Sequence, residues 1–123
     1  MKGTYAMTGI TRIDTNKRLS RAVVHNGTVY LSGMTAGDRS LDIRGQTRQM
    51  FEKIDGYLKE AGSDKSKILS AQVWLQEIDR DFPAFNEEWE AWIPENAAPA
   101  RAACQTRLIA KQCLVEVMII AAV

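Results

Sequence analysis

The hydrophobic pattern of the chain changes period several times, and each change marks an element. Residues 22–25 and 28–33 are short runs rich in β-forming residues, separated by Asn26-Gly27. Both residues of that pair tolerate positive φ, so the run reads as a tight β-hairpin. Residues 9–13 (GITRI) are a shorter candidate strand ahead of it. From residue 42 to 61 the period becomes helical. Ile43, Met50, Phe51, Ile54, Tyr57, Leu58 and Ala61 form one stripe, and Gly62 follows as a C′ residue. Arg44, Arg48, Glu52, Lys53 and Lys59 mostly fall off that stripe, on a solvated face. Residues 68–75 (ILSAQVWL) return to strand character.

A second helix is predicted over residues 79–93, with Asp81 as its cap, Pro83 in its first turn and Pro94 as its stop. Phe82, Phe85, Trp89, Trp92 and Ile93 form its apolar face, and an aromatic stripe of this kind reads as core. Two further strands, residues 100–108 and 114–122, are joined by IAKQC. The order is β-β-β-α-β-α-β-β, which predicts an α+β sandwich with two helices on one face of a sheet. In the last strand Leu114, Met118 and Ile120 lie on one face and Val115, Val117 and Ile119 on the other. A half-exposed strand alternates with polar residues, so the second face is expected to be covered in a homo-oligomer.

Composition narrows the picture. A chain of 123 residues is the size of one domain, with no linker or repeat dividing it. Residues 1–8 are read as an extension or flexible start and residues 9–123 as the domain; Met7 offers an alternative start. A net charge of +1, with Lys and Arg dispersed, gives no electrostatic footprint for nucleic acid. No run approaches the ~18 apolar residues of a membrane helix, and the start lacks an apolar leader. A cytoplasmic protein is expected. Cys104 and Cys113 form no C-x-x-C pair and are expected to be reduced thiols. The single His25, before the hairpin turn, is expected to be exposed. With no Cys/His cluster, neither a metal nor a cofactor is called for.

Candidate chemistry lies in the last two strands. Arg101, Ala103, Gln105 and Arg107 share one strand face, while Ala102, Cys104, Thr106 and Leu108 share the other. Glu116 interrupts the apolar run LVEVMIIAAV. If the strands pair as an antiparallel hairpin turning near Lys111, Arg101 and Glu116 sit at neighbouring levels or meet across a subunit boundary. Isolated buried charges are too costly to leave unpaired. Two readings follow: a mutual salt bridge, or an anion site. In the second, the guanidinium fork grips a ligand carboxylate and the glutamate handles water or protons. No nucleophile elbow, phosphate loop, dinucleotide fingerprint or metalloprotease motif is present.

PARAACQTRL followed by VEVMIIAAV resembles the C-terminal signature of the Rid (YjgF) family, the reactive intermediate deaminases. VYLSG, GQTRQMFEKIDGYLKEAGSDKSKILSAQVWLQEI and DFPAFNEEWEAW resemble its second-strand end, its first helix with the following strand, and its second helix. The likeness covers nearly the whole chain from about residue 10. It implies a chorismate-mutase-like, two-layer α+β sandwich with a mixed sheet, assembled as a homotrimer with ligand clefts between subunits. It also implies hydrolysis of 2-imino acids and their enamine tautomers to 2-oxo acids and ammonia, without cofactor. The family's carboxylate-binding arginine falls on Arg101, its water-handling glutamate on Glu116, its pocket serine on Ser32 and its second-helix asparagine on Asn86. Two positions depart from the pattern. Ala103 stands where a cysteine is frequent, with Cys104 one step on and facing away. Leu19 stands where an aromatic residue lines the pocket. These departures point to a divergent subgroup, with a non-catalytic carboxylate-binding or regulatory trimer as the alternative function.

Overall fold

The structure is a computed structural model and describes residues 3–5 and 9–123. Residues 1, 2 and 6–8, the alternative start Met7 among them, lie outside the described residues. The elements are β1 (Gly3–Tyr5), β2 (Thr11–Thr15), β3 (Ser20–His25), β4 (Thr28–Leu31), α1 (Ile43–Glu60), β5 (Ile68–Leu75), α2 (Ile78–Trp92), β6 (Ala100–Gln105) and β7 (Val115–Ala122). Three residues of the expected extension, Gly3–Tyr5, thus ladder onto β2. The first strand of the domain begins at Thr11, later than residue 9.

Among the described residues, seven strands form one mixed sheet in the order β1-β2-β3-β4-β7-β5-β6. All neighbours are antiparallel except β5 and β6. The chain runs β4–α1–β5 and then β5–α2–β6, stepping the same way across the sheet each time. Crossovers between parallel strands are right-handed, so two steps in one direction put both helices on one face. The last strand, β7, then inserts between β4 and β5. The expected β6–β7 hairpin does not form, because β5 lies between those strands.

Local chemistry explains most element boundaries. Asn26 and Gly27 have φ of 51° and 75°, so the β3–β4 turn needs the two residues that tolerate it. His25 pairs with Thr28 and is half-buried rather than exposed. Asp42 caps α1 by accepting from Gly45 N at 2.8 Å, and Gly62 follows with φ 84°. The core lies between the helices and one sheet face. Met50, Ile54 and Leu58 meet Val73, Leu75, Val115, Val117 and Ile119 there, all essentially inaccessible. Phe51 stacks on Trp92 at 4.1 Å and 7° and meets Trp89 edge-on, which joins α1 to α2. Arg44 and Arg48, expected to be merely solvated, reach Glu87 and Glu88 of α2.

Asp81 does not cap α2. The helix starts earlier, at Ile78, whose N–H donates to Gln105 Oε1 at 2.9 Å. Asp81 is buried inside the helix and accepts from Arg80, and Pro83 falls in the second turn. Strand β6 also ends at Gln105 rather than residue 108. Cys113 lies outside β7, buried in the preceding loop, while Cys104 is an exposed strand thiol; both are free.

Candidate active site

The arginine is placed by an edge strand. In β6, Arg101 pairs with Ala71, Ala102 with Gln72, Ala103 with Val73 and Cys104 with Trp74. Ala71 and Val73 are buried beneath the helices, so Arg101 and Ala103 lie on the helix-covered side. Ala102 and Cys104 lie on the open side, as the sequence spacing predicts. Because β6 is outermost, the Arg101 side chain reaches past the sheet onto α2. Its Cζ stands 5.1 Å from the Trp89 ring centroid, 5.6 Å from Phe82 and 5.9 Å from Phe85. Those separations fall within the ~6 Å range of cation–π attraction. Among the described residues the guanidinium makes no salt bridge. Arg101 is exposed in the protomer overall, but its partial burial against the rings lowers its pKa, and the charge of Glu90 acts in the opposite sense. Asn86 belongs to the same patch by helical spacing, four residues after Phe82 and three before Trp89. Its Oδ1 is buried without a hydrogen-bond partner.

The glutamate occupies the other face. In β7, Glu116 pairs with Trp74, while Val115 and Val117 on either side point into the core. Its carboxylate lies over the chain that leaves β4. A Cβ added to Gly33 would stand 2.1 Å from Glu116 Oε2, so only glycine admits the carboxylate there. Met34 holds this segment against β7, exchanging backbone hydrogen bonds of 2.9 and 3.1 Å with Val117. Beside it, Ser32 donates its N–H to Arg21 O at 2.9 Å, and its Oγ is buried without a partner. Burial raises the Glu116 pKa above the ordinary carboxylate value, and among the described residues no cation offsets it. Leu19 lies in the β2–β3 turn, where the Asn16 carboxamide accepts from Arg18 N and Leu19 N. The register that sets Ala22 opposite Leu31 brings Leu19 to the same end of the sheet as Ser32.

Within one protomer the site therefore splits in two. Arg101, Ala103 and Asn86 gather on the helix side at the β6 edge. Glu116, Ser32 and Leu19 gather with the open face. A mutual Arg101–Glu116 salt bridge, one of the two sequence readings, does not form: β5 separates the strands and the side chains leave on opposite faces. The open face also carries a shallow depression of about 370 Å³ lined by Ser70, Gln72, Arg101, Ala102, Met118 and Ile120, so the arginine strand borders it. Tyr30 and Met118 stay 45% and 39% exposed beside it.

Three features escaped the sequence reading. Gly33 has a visible signal only in the Ser-Gly step that ends the second strand. The rings beneath Arg101 were visible as a stripe but read as core alone. Gln46, 1% exposed, donates to Arg39 O, Leu41 O and Gln112 O and accepts from Leu114 N. With Gln76, which donates to Ala110 O and Cys113 O, it fixes the loop between the arginine strand and the glutamate strand. A buried polar residue on a helical stripe gives no sequence sign of such a partner. No group of three His, Cys, Asp or Glu side chains converges among the described residues. No described helix is long and apolar enough to cross a membrane.

The family described as endoribonuclease L-PSP matches residues 9–123. The chain belongs to that family, also called YjgF or Rid. A RutC family protein of Haemophilus ducreyi is 40% identical over 114 residues, covering 93% of this chain and 97% of the relative. Two crystal structures show the same fold. A YjgF family member from Neisseria meningitidis is 35% identical with a TM-score of 0.88, covering 92% of this chain and 93% of that one. The Rid family protein YyfA from Yersinia pestis is 31% identical with a TM-score of 0.80, covering 89% and 90%. The α+β architecture expected of a Rid protein is therefore the architecture found.

Proposed function

We propose that this protein hydrolyses 2-imino acids and their enamine tautomers to 2-oxo acids and ammonia, in clefts between the subunits of a homotrimer. The observation that carries the reading is the pair of partly desolvated charges, Arg101 and Glu116, left apart on opposite faces. Joining the β6 edge of one copy to the open face of the next brings the two half-sites together and covers the apolar side of β7.

The chemistry suits these groups. The Arg101 fork binds the substrate carboxylate and orients C2. Buried Asn86 Oδ1 can accept from the imine or enamine N–H, and Ser32 Oγ can bind a second polar atom. Glu116 takes a proton from water as the oxygen adds to C2 of the C=N bond. On the protonated imine that addition gives a carbinolamine; Glu116 then returns its proton to nitrogen, the C–N bond breaks as the hydroxyl oxygen forms C=O, ammonia leaves, and the carboxylate takes the remaining hydroxyl proton. General catalysis of this kind contributes about 10²–10⁴-fold. A raised pKa moves the Glu116 carboxyl toward the operating pH, where one group can both take and give a proton.

The test generates 2-iminopropanoate from alanine with an amino-acid oxidase and traps it with semicarbazide. The wild type is expected to lower trapping and Arg101→Ala to restore it. Unchanged trapping with precursors of small and bulky imines would overturn the reading. Ala103 and Leu19 favour a second reading, a trimer that binds carboxylates without turnover. Calorimetric binding of 2-oxo acids together with unchanged trapping would select it. An RNA-cleaving role finds less support, since a net charge of +1 supplies little attraction for phosphates.

A further inference from the structure

Strand β6 offers Arg101 no support of its own, because Ala100, Ala102 and Ala103 surround it. An arginine is commonly steadied by carboxylates, yet among the described residues none of the acidic groups of α2 forms a salt bridge with Arg101, and Glu90 acts on it only through its charge at longer range. Glu87 and Glu88 engage Arg44 and Arg48, and Asp81 engages Arg80. What α2 presents to Arg101 is Phe82, Phe85 and Trp89, one helical face of three rings within 6 Å of Cζ. Phe85 and Trp89 are buried, whereas Phe82 only borders the core, so its ring can be replaced with the least disturbance to packing.

We infer that Phe82, Phe85 and Trp89 are positioning residues that hold the Arg101 guanidinium in place while leaving its N–H donors free for a ligand carboxylate. A carboxylate in their place would also fix the side chain, but it would occupy the fork and neutralise the charge. Ring faces attract the cation through their quadrupole and accept no edge donor in the guanidinium plane. The long side chain is thereby ordered before binding, and the ordering cost of the complex falls. The inference rests on Arg101 being the carboxylate clamp.

The test uses full-length protein with pyruvate as the probe. Calorimetry gives affinity, and the Arg101 Nε–Hε NMR resonance reports ring stacking independently of binding. Phe82→Leu keeps apolar bulk and removes a ring. It is expected to weaken pyruvate binding about three- to tenfold and to relieve the ring-current shift of Hε. Phe82→Tyr is expected to restore both. If Phe82→Leu changes neither readout, or Phe82→Tyr fails to rescue, the platform is overturned. If Arg101→Ala binds pyruvate as the wild type does, the clamp reading fails instead, and the platform is judged on the Hε shift alone.

Discussion

The two ends of the candidate site desolvate a charge in opposite ways. At the β6 edge, Arg101 lies on aromatic faces that hold it without occupying its donors. On the open face, Glu116 lies in a slot that exists only because Gly33 has no side chain, and among the described residues no cation answers it. One end supports its charge by packing, and the other by clearance. Neither end is complete, since each leaves buried polar atoms unpartnered, Asn86 Oδ1 at the first and Ser32 Oγ near the second. Insertion of β7 between β4 and β5 makes the separation a property of the topology rather than of side-chain rotamers.

The contrast can be broken most severely from the open face. Glu116→Gln keeps size and removes the base, so imine hydrolysis is expected to fall about 10²–10⁴-fold while pyruvate affinity changes little. Steady-state rates and calorimetry check this; equal losses in both would make Glu116 a binding group. At the edge, Arg101→Lys keeps charge but loses the planar fork and its stacking. A rise in KM of about 10–100-fold is expected. Gly33→Ala attacks the clearance itself. The clash falls on the tip of a flexible side chain, so the fold should survive while the carboxylate moves. A drop of about tenfold in kcat with an unchanged melting temperature is expected.

The smallest effect is on stability against pH. Burial raises the Glu116 pKa in the folded protein. Such a group contributes stability that is fully present below its unfolded pKa and lost as pH rises through the folded one. Stability is therefore expected to decline from the ordinary carboxylate range upward through the raised value, and Glu116→Gln to flatten that decline. Urea midpoints across that window measure it; identical slopes in both proteins would show that the carboxyl is not perturbed.

How much of this was legible depended on how local each signal was. The Asn26-Gly27 turn and the Asp42–Gly62 helix boundaries are written within a few residues and were read correctly. The cap of α2 was misread because its acceptor is Gln105, 27 residues away and on a different element. Strand faces in β6 and β7 followed from period 2, so Ala103 and Cys104 were assigned to the right sides. Their pairing partners were not, because nothing near Lys111 announces that β5 passes between the two strands. The aromatic stripe of α2 was legible as apolar, but that an arginine would rest on it required the tertiary structure.

Whether the arginine of one subunit works with the glutamate of another is decided by complementation. Arg101→Ala and Glu116→Gln proteins, each inactive alone, are unfolded, mixed in equal amounts and refolded, and 2-iminopropanoate hydrolysis is measured. If each cleft takes its arginine from one subunit and its glutamate from the next, roughly a quarter of the clefts in random trimers are intact, and activity returns to about that fraction of wild type. If both residues serve from the same chain, no mixed trimer holds an intact cleft. Activity that stays at the level of the single variants would contradict the account.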